Sequence, residues 1–167
     1  MWIRTETQDD VAAIGAVIAE AFAGQPGGGH TENDIVDALR ADGTLSLSLV
    51  ADIDGRIAGH IAFSAVRIED GSEDWYGLAP VAVAARDQGH GVGKALVRAG
   101  LTELERLGAR GCVVLGDPGY YAQFGFRAHP TLLFPGVPAQ YFQALALNGA
   151  ALPAGRVRYH ECFYPDA

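Results

Sequence analysis

The sequence predicts an α/β fold of the α+β type, with a mixed, mostly antiparallel central sheet that carries helices on both faces. Two long apolar runs joined by a hairpin dipeptide lie in the first half of the chain, and strand–helix–strand units follow in the second half. The length of 167 residues is typical of one compact domain, and no repeat, charge run or linker divides the sequence. We therefore expect a single domain over residues 1–167.

The first half of the chain alternates strands with amphipathic helices. Apolar residues recur at the spacing of one helix face over residues 7–23, and glycines with a proline then interrupt regular structure at 24–29. Thr31, followed three residues later by Asp34, is typical of a helix N-cap with an acidic first turn. Asp54-Gly55 favours a tight hairpin turn. The predicted elements are a strand at 2–6, helices at 7–23 and 31–43, and strands at 45–53 and 56–67.

The second half predicts a central strand, a long helix and short closing elements. Gly108 ends a helix whose apolar residues share one face, and Asp117 with Pro118 is typical of an N-cap followed by proline at the first helical position. Proline and glycine punctuate residues 130–153. The predicted elements are strands at 75–84 and 112–115, helices at 91–107 and 117–124, a helical fragment near 139–147, and closing strands at 126–128 and 157–163.

Composition excludes several classes of function. The chain has 12 basic and 20 acidic residues and a net charge of −8, without the lysine and arginine cluster that a nucleic acid partner requires. The N-terminus has no apolar signal core, and the longest apolar run, at 78–85, is too short to span a bilayer. Two widely spaced cysteines form neither a disulfide framework nor a four-ligand metal site. We expect a cytoplasmic protein with no nucleic acid, membrane or metal partner.

A glycine-rich turn between a strand and a helix carries the functional information. Residues 88–94 read Gln-Gly-His-Gly-Val-Gly-Lys, an arrangement that points several backbone N–H groups and the positive end of a helix dipole at one place, as a pyrophosphate requires. A Walker motif would need glycine at Gln88 and Ser or Thr at Ala95. A dinucleotide fingerprint starting at Gly89 would need glycine at Lys94. From the glycine spacing alone, a phosphate site and a tight turn without a ligand are equal alternatives.

Two motifs resemble one family. Gln88-x-x-Gly91-x-Gly93 is similar to the (Gln/Arg)-x-x-Gly-x-(Gly/Ala) motif of the GCN5-related N-acetyltransferase (GNAT) superfamily, and residues 120–126 resemble its aromatic-Tyr-x-x-x-Gly-Phe signature. The order of predicted elements is also similar, over nearly the whole chain. Arg158-Tyr159-His160 and other short segments resemble the YhbS-like bacterial acetyltransferases. The resemblance implies a single GNAT-like domain.

The resemblance implies that acetyl-CoA, or coenzyme A, is the co-substrate and that no metal takes part. The backbone amides of the glycine-rich turn would hold the pyrophosphate. Val81 and Val83 would pair with the pantetheine arm as an added strand does. The implied cofactor-binding residues are Val81, Val83, Gln88, Gly89, His90, Gly91, Val92, Gly93 and Lys94.

The resemblance also implies that Tyr121 is the general acid. Tyr121 lies four residues before Gly125, as the signature tyrosine of the family does. A thiolate leaving group needs a proton donor, and a phenol with a pKa near 10 stays protonated at neutral pH. In the alternative interpretation, Tyr120 and Tyr121 both pack over the coenzyme as apolar walls.

Several residues could serve as the general base, and the sequence selects none of them. Glu69, Glu73 and Asp74 precede the central strand, where each could also be a solvated turn residue. His30 follows the glycines at 27–29 and could be a surface residue. His60 lies in a strongly apolar strand, and a hydrogen-bonded structural histidine is the favoured interpretation there.

These observations predict an N-acetyltransferase that moves the acetyl group directly to a small-molecule or peptide amine. Two alternatives remain: an acyl-CoA-binding regulatory or sensor domain, and a transferase of a longer acyl group or one with a hydroxyl acceptor. The presence of Tyr121 favours catalysis over sensing. Both a monomer and a homodimer remain open.

Two further expectations concern single segments. Residues 24–31 should be mobile and could form one wall of the acceptor site. The superfamily pairs its last strand with the strand after the motif helix, which implies that Cys112 and Cys162 are buried, reduced thiols in neighbouring strands.

Overall fold

The protein is described here from a computed structural model, which defines residues 1–25 and 28–164 and only the backbone of residues 28–30. Its strands are β1 (Trp2–Thr5), β2 (Leu47–Ile53), β3 (Arg56–Ala65), β4 (Arg67–Ile68), β5 (Trp75–Val83), β6 (Gly111–Leu115), β7 (Leu132–Leu133), β8 (Phe142–Ala146) and β9 (Gly155–Arg158). Its α-helices are α1 (Val11–Ala21), α2 (Gly28–Asp42), α3 (Val92–Arg106) and α4 (Pro118–Tyr121). Among the described residues, no helix is long and apolar enough to cross a bilayer.

The chain forms two compact units. The first comprises Met1–Phe63 and Ala79–Gly100, and the second comprises Ser64–Leu78 and the residues from Leu101 onward. Three elements, β3, β5 and α3, pass from one unit into the other along the chain.

The sheet of the first unit begins with a hairpin. β1 pairs antiparallel with β2, and β2 pairs antiparallel with β3, with Leu47 opposite Phe63. Asp54 (φ 53°) and Gly55 (φ 83°) form the connecting turn, in which both residues are left-handed, as the twist of a two-residue hairpin requires. The predicted hairpin is confirmed.

Helices cover both faces of this sheet, as the sequence predicts. On one face, α1 and α2 pack their apolar side chains against β2 and β3 in a cluster that includes Ile14, Ile18, Val36, Val50 and Ala62. On the other face lies α3, because a Cβ added at Gly59 would lie 2.9 Å from Leu96 Cδ1 and one at Gly100 would lie 2.4 Å from Phe63 Cε2. Successive side chains of a strand point to opposite faces of the sheet. Gly59 and Phe63 lie an odd number of residues from Ala62, so they face the side of the sheet opposite to that of Ala62.

The second unit contains the parallel part of the fold. The first residues of β5 pair parallel with β6, with Trp75 opposite Gly111, and β6 pairs antiparallel with β8, with Cys112 opposite Leu145. A smaller sheet has the order β4-β9-β7. The unit is therefore mixed, as predicted for the fold as a whole.

Three predictions in the last third of the chain are wrong. The predicted helix near 139–147 is a 3-10 turn at Ala139–Tyr141 followed by strand β8. Good helix formers fill this segment, but its backbone groups pair with β6, and tertiary pairing overrides propensity. The last strand ends at Arg158 and pairs with β4 and β7 instead of β6. The expected strand at 126–128 is a single bridge from Arg127 to Ala144.

The prediction that Cys112 and Cys162 lie in neighbouring strands is also wrong, because it depended on the last strand pairing with β6. Both cysteines are reduced thiols, but Cys112 lies on β6 beside β8, whereas Cys162 is half-buried in a 3-10 turn at Glu161–Phe163. The two thiols are therefore not in neighbouring strands.

Helix boundaries also differ from the sequence pattern. A 3-10 turn at Gln8–Asp10, capped by Thr7, precedes α1, and Gly24 (φ 88°) follows it. α2 begins at Gly28, so Thr31 lies within the helix instead of capping it. The predicted mobility of residues 24–31 falls largely outside the described residues, since Pro26, Gly27 and the side chains of 28–30 are not among them.

Candidate functional site

The glycine-rich turn lies between β5 and α3. A 3-10 turn at Ala85–Asp87 leads from β5 into residues 88–91, after which α3 begins at Val92. Gly89 (φ 79°) and Gly91 (φ 84°) have left-handed backbones, which glycine adopts without a steric penalty. Nothing lies within 4 Å of a Cβ added at either position, so the space above the turn is open.

The backbone of this turn can bind an anion. Ala95 N–H donates to Gly91 O at 3.0 Å, the first hydrogen bond of the helix, so the N–H groups of Val92, Gly93 and Lys94 have no acceptor within α3. Gln88, Gly89, His90 and Gly91 are exposed, while the Val92 side chain is buried. Exposed amides at the positive end of a helix dipole attract a phosphate without a charged side chain.

Two side chains fix the turn in place. Arg56, at the start of β3, donates to both carboxylate oxygens of Asp87 at 2.6 and 3.1 Å. This guanidinium contact lowers the pKa of Asp87 below its ordinary value, so the pair stays charged at neutral pH. Gln88 Nε2 donates to Val83 O at 3.0 Å and ties the turn to the strand before it.

Val81 and Val83 present their backbone groups away from β3. Ala84 N–H donates to Ala58 O at 2.8 Å, which directs Ala84 toward β3 and therefore directs Val83 and Val81 the other way. Val81 and Val83 are half-buried and alternate with the buried Ala82 and Ala84. The Val83 carbonyl already accepts one hydrogen bond, from Gln88, and has a second lone pair.

The alternation along β5 slips by one residue. Trp75 and Gly77 are buried in one phase, and Leu78, Pro80 and Ala82 are buried in the other. Hydrogen bonds agree with this shift. In a regular antiparallel pair, the two residue numbers of every pair of partners have the same sum. Val66 N–H donates to Trp75 O, which gives 141, whereas Ala84 N–H donates to Ala58 O, which gives 142. Such an irregularity is typical of a β-bulge.

Tyr121 lies in the second unit, at the end of α4. The predicted cap is confirmed, because Asp117 accepts from Gly119 N–H at 2.9 Å and Pro118 occupies the first turn. The Tyr121 ring packs on Gly116, where an added Cβ would lie 2.4 Å from its Cε2 atom, and it meets Phe126 edge-on at 5.8 Å. Gly116 thus leaves room for the ring.

The two neighbouring tyrosines differ in exposure. Tyr121 is 8% exposed, whereas Tyr120 is 36% exposed, and their rings meet edge-on at 5.0 Å. Burial, with smaller contributions from Tyr120 and Cys112, raises the pKa of Tyr121 to about 12. The buried phenol therefore remains a proton donor throughout the neutral range.

The candidate bases have different surroundings. Glu69 accepts from Arg156 N–H at 3.1 Å, and Asp74, with a left-handed φ of 63°, accepts from Arg110 N–H through its carbonyl at 2.8 Å. Glu73 is exposed. The side chain of His30 lies outside the described residues. None of these contacts singles out a base.

His60 is a structural histidine, as the favoured interpretation expects. It is fully buried, and its Nε2 atom lies 2.8 Å from Ser48 Oγ. Ser48 also hydrogen-bonds Glu6, which accepts from Arg40 at 2.8 and 3.1 Å. Burial lowers the pKa of His60 to about 4, so the ring is neutral. Sequence reasoning missed this network because its members come from α2, β2, β3 and the loop after β1.

No group of three or more histidine, cysteine, aspartate or glutamate side chains within residues 1–25 and 31–164 is placed to hold a metal ion.

Known proteins resemble this chain over its length. A family model described as "Acetyltransferase (GNAT) family" matches residues 15–126. The chain is 37% identical to the uncharacterized N-acetyltransferase YhbS of Escherichia coli K12 over 172 aligned residues, which cover 98% of both proteins.

Two solved structures are similar as well. A GNAT family acetyltransferase of Brucella melitensis in complex with acetyl-CoA is 48% identical, with 97% of each chain covered and a TM-score of 0.85. Escherichia coli YhbS in complex with CoA is 36% identical, with 99% of this chain and 93% of that one covered and a TM-score of 0.86.

Proposed function

Because this chain belongs to the acetyltransferase (GNAT) family, we propose that it is an N-acetyltransferase that passes the acetyl group of acetyl-CoA directly to an amine. Acetyl-CoA is the co-substrate, in line with the acetyl-CoA and CoA bound to the Brucella melitensis and Escherichia coli relatives. The acceptor is a small-molecule or peptide amine.

The glycine-rich turn carries the proposal. Two left-handed glycines, open space above them and the first amides of α3 provide donors for a pyrophosphate. Val81 and Val83 add backbone groups that face away from β3, in the direction an extended pantetheine arm requires. In this assignment residues 88–94 bind through main chain, and Val92 contributes its amide while its side chain stays in the core.

Tyr121 supplies the proton in this mechanism. The lone pair of the neutral amine attacks the thioester carbonyl carbon, the carbon–sulfur bond breaks, and the departing thiolate takes the phenolic proton. The nitrogen loses its extra proton to solvent or to a base, and Tyr121 recovers its own from solvent. The greater burial of Tyr121 supports this role over that of Tyr120, whereas burial raises the pKa of both phenols and keeps both protonated.

An acceptor screen tests the function. Release of free coenzyme A thiol is measured with acetyl-CoA and a panel of alkylamines, amino acids and peptides, with hydroxyl compounds as controls. Turnover of at least one amine, with an N-acetyl product by mass spectrometry, is expected. Turnover of hydroxyl compounds only, or acetyl-CoA binding without turnover on any acceptor, would refute the proposal and favour a different acyl transfer or a sensor.

Calorimetry tests the site separately. Gly91→Val adds a β-branched side chain at φ 84°, where it is strained and blocks phosphate approach, so acetyl-CoA affinity should fall severely. Gly136→Val, at a similar φ of 92° in a loop of the second unit, is the matched control for backbone strain. Unchanged acetyl-CoA affinity in Gly91→Val would contradict the assignment.

We further propose that residues 1–167 form a single domain in the cytoplasm. β3, β5 and α3 are each shared by both units, which favours cooperative folding. Reduced thiols at Cys112 and Cys162 fit a reducing compartment. One unfolding transition, seen alike by tryptophan fluorescence and far-UV circular dichroism, is expected; two separate transitions would contradict the single domain.

A further inference from the structure

Three arginines lie on one face of the smaller sheet in the second unit. Arg67 on β4 stands directly opposite Arg158 on β9, so their side chains share a face, and Arg156, two residues before Arg158, lies on that face too. All three are exposed, whereas Ile68 and Val157, which alternate with them, are buried. The arginines therefore form the outward side of this sheet, which we call the arginine face.

The arginine face has no counter-charge of its own. None of its three guanidinium groups forms an ion pair with a carboxylate of residues 1–25 or 31–164. Other arginines of the chain do pair with carboxylates, namely Arg4, Arg40, Arg56 and Arg106. Like charges directly opposite each other on a sheet are destabilising. The pair of Arg67 and Arg158 is therefore unfavourable unless negative charge comes from another molecule.

The carboxylates that follow β4 bind backbone groups instead of the arginines. Glu69 accepts from Arg156 N–H at 3.1 Å. Asp70 accepts from Ser72 N–H at 2.9 Å and from Ala154 N–H at 2.8 Å. Both carboxylates thus hold the ends of the strands together. Even with the negative charge of Glu69 counted, the three arginines leave the face positively charged.

An aromatic and an aliphatic side chain border the arginine face. The Arg158 guanidinium carbon lies 4.1 Å from the centre of the Tyr164 ring, and the Tyr164 hydroxyl accepts from Tyr159 N–H at 3.2 Å, which fixes the ring. A guanidinium stacked in this way keeps its N–H edge free for an anion. Leu133 on β7 stands opposite Arg156 and is 50% exposed. Arginine and tyrosine are enriched at protein–protein interfaces.

We propose that the arginine face docks an acidic segment of a partner protein. Carboxylates of that segment would neutralise the opposed arginines and accept paired hydrogen bonds from their guanidinium edges. A second copy bound by the same face is excluded, because a two-fold axis would place arginine against arginine. This docking goes beyond acetyl transfer and does not depend on it.

The charge of the chain favours a protein segment over a nucleic acid. A nucleic acid carries a negative charge at every nucleotide, and a chain with a net charge of −8 repels it at long range. A protein segment can place a few carboxylates at the arginines and apolar side chains at Leu133 and Tyr164.

An NMR titration with a decaglutamate peptide tests the docking. At about 50 mM salt, the shifted backbone amide and arginine Nε–H signals should cluster at β4, β9 and Tyr164, and they should return to their free positions at about 500 mM salt. Changing any one arginine of the face to glutamine should weaken binding about 2–5-fold, the worth of an exposed ion pair. Arg106→Gln is the matched control and should bind like the wild type, since Arg106 is exposed and pairs with Glu103.

Two outcomes of that titration would overturn the proposal: no shift at the arginine face, or an equal loss of affinity in Arg106→Gln. Inorganic phosphate and an oligothymidylate, titrated at the same ionic strength, separate the classes of ligand. Both should bind more weakly than the peptide. Tighter binding of phosphate would assign a small-oxyanion site, and tighter binding of the oligothymidylate would assign a nucleic acid site; either result would overturn the proposal.

Urea unfolding tests whether the opposed arginines are unpaired in the protein itself. Arg67→Gln removes one of two like charges, so the unfolding midpoint should stay unchanged or rise. Arg4→Gln is the control, because Arg4 pairs with Asp10 at 2.7 Å and with Asp52 at 3.1 Å, and its loss should lower the midpoint. A midpoint for Arg67→Gln that falls as far as in the control would show that Arg67 has a partner within the fold, which would overturn the proposal.

Discussion

The buried His60 should make the protein sensitive to mild acid. His60 binds its proton with a pKa of about 4 in the folded state, against 6.5 for a free histidine. The unfolded chain therefore binds more protons between pH 6.5 and pH 4, and stability must fall as the pH falls through that window. A shift of this size corresponds to about 3 kcal/mol in total, of which roughly 2–3 kcal/mol is lost between pH 7 and pH 4.5.

The nearby carboxylates of Glu6 and Asp10 do not mask the loss of stability caused by His60. Burial alone would raise the pKa of Glu6, but hydrogen bonds from Arg40 and Ser48 outweigh it and lower the pKa below 4.5. The Arg4 guanidinium lowers the pKa of Asp10 to about 2. Both carboxylates therefore lose their stabilising contribution at lower pH than His60 does, so the range from pH 6.5 to 4.5 reports mainly on the histidine.

Urea unfolding followed by tryptophan fluorescence at pH 7 and pH 4.5, at one ionic strength, measures the loss. His60→Gln cannot titrate and should lose roughly 2–3 kcal/mol less than the wild type over this interval, whatever its own stability at pH 7. His129→Gln, which removes a half-buried histidine outside the network, should behave like the wild type. Equal losses in the wild type and His60→Gln would refute the reasoning.

Three further substitutions have expected outcomes. Tyr121→Phe should lower turnover about 10²–10⁴-fold with acetyl-CoA affinity nearly unchanged; normal turnover in Tyr121→Phe together with a loss in Tyr120→Phe would assign the acid to the other tyrosine. Gly100→Ala should destabilise the fold by about 1–3 kcal/mol in chemical denaturation, because its Cβ would meet a buried ring at 2.4 Å, and an unchanged midpoint would contradict the packing. The double variant Cys112→Ala, Cys162→Ala should keep wild-type turnover per folded molecule, and abolished turnover with an intact circular dichroism spectrum would show that a thiol takes part.

Local chemistry explains which parts of the fold could be predicted. Asp54-Gly55 and Asp117-Pro118 act within a few residues, so the sequence alone predicts the hairpin and the start of α4. The turn at residues 88–94 is equally local, since its glycines need positive φ or close approach whatever surrounds them. Its binding role and that of Tyr121 remain predictions.

Long-range pairing explains what could not be predicted. Residues 142–146 include alanine, leucine and glutamine, which favour a helix. They form a strand because their backbone groups pair with those of β6. The hydrogen bonds from Arg40 through Glu6 and Ser48 to His60 join residues up to 42 positions apart within single bonds. Neither feature has a signature in a short window of sequence.

The path of the chain through its two units limits where the genes of two relatives can recombine. The chain enters the second unit at Ser64, returns to the first at Ala79 and leaves it again at Leu101. A hybrid gene with a single breakpoint between codons 64 and 100 therefore combines residues of both parents in each of the two units. Hybrid genes joined there should yield misfolded products unless both parents share matching core residues, so recombination is expected to tolerate breakpoints best near the termini.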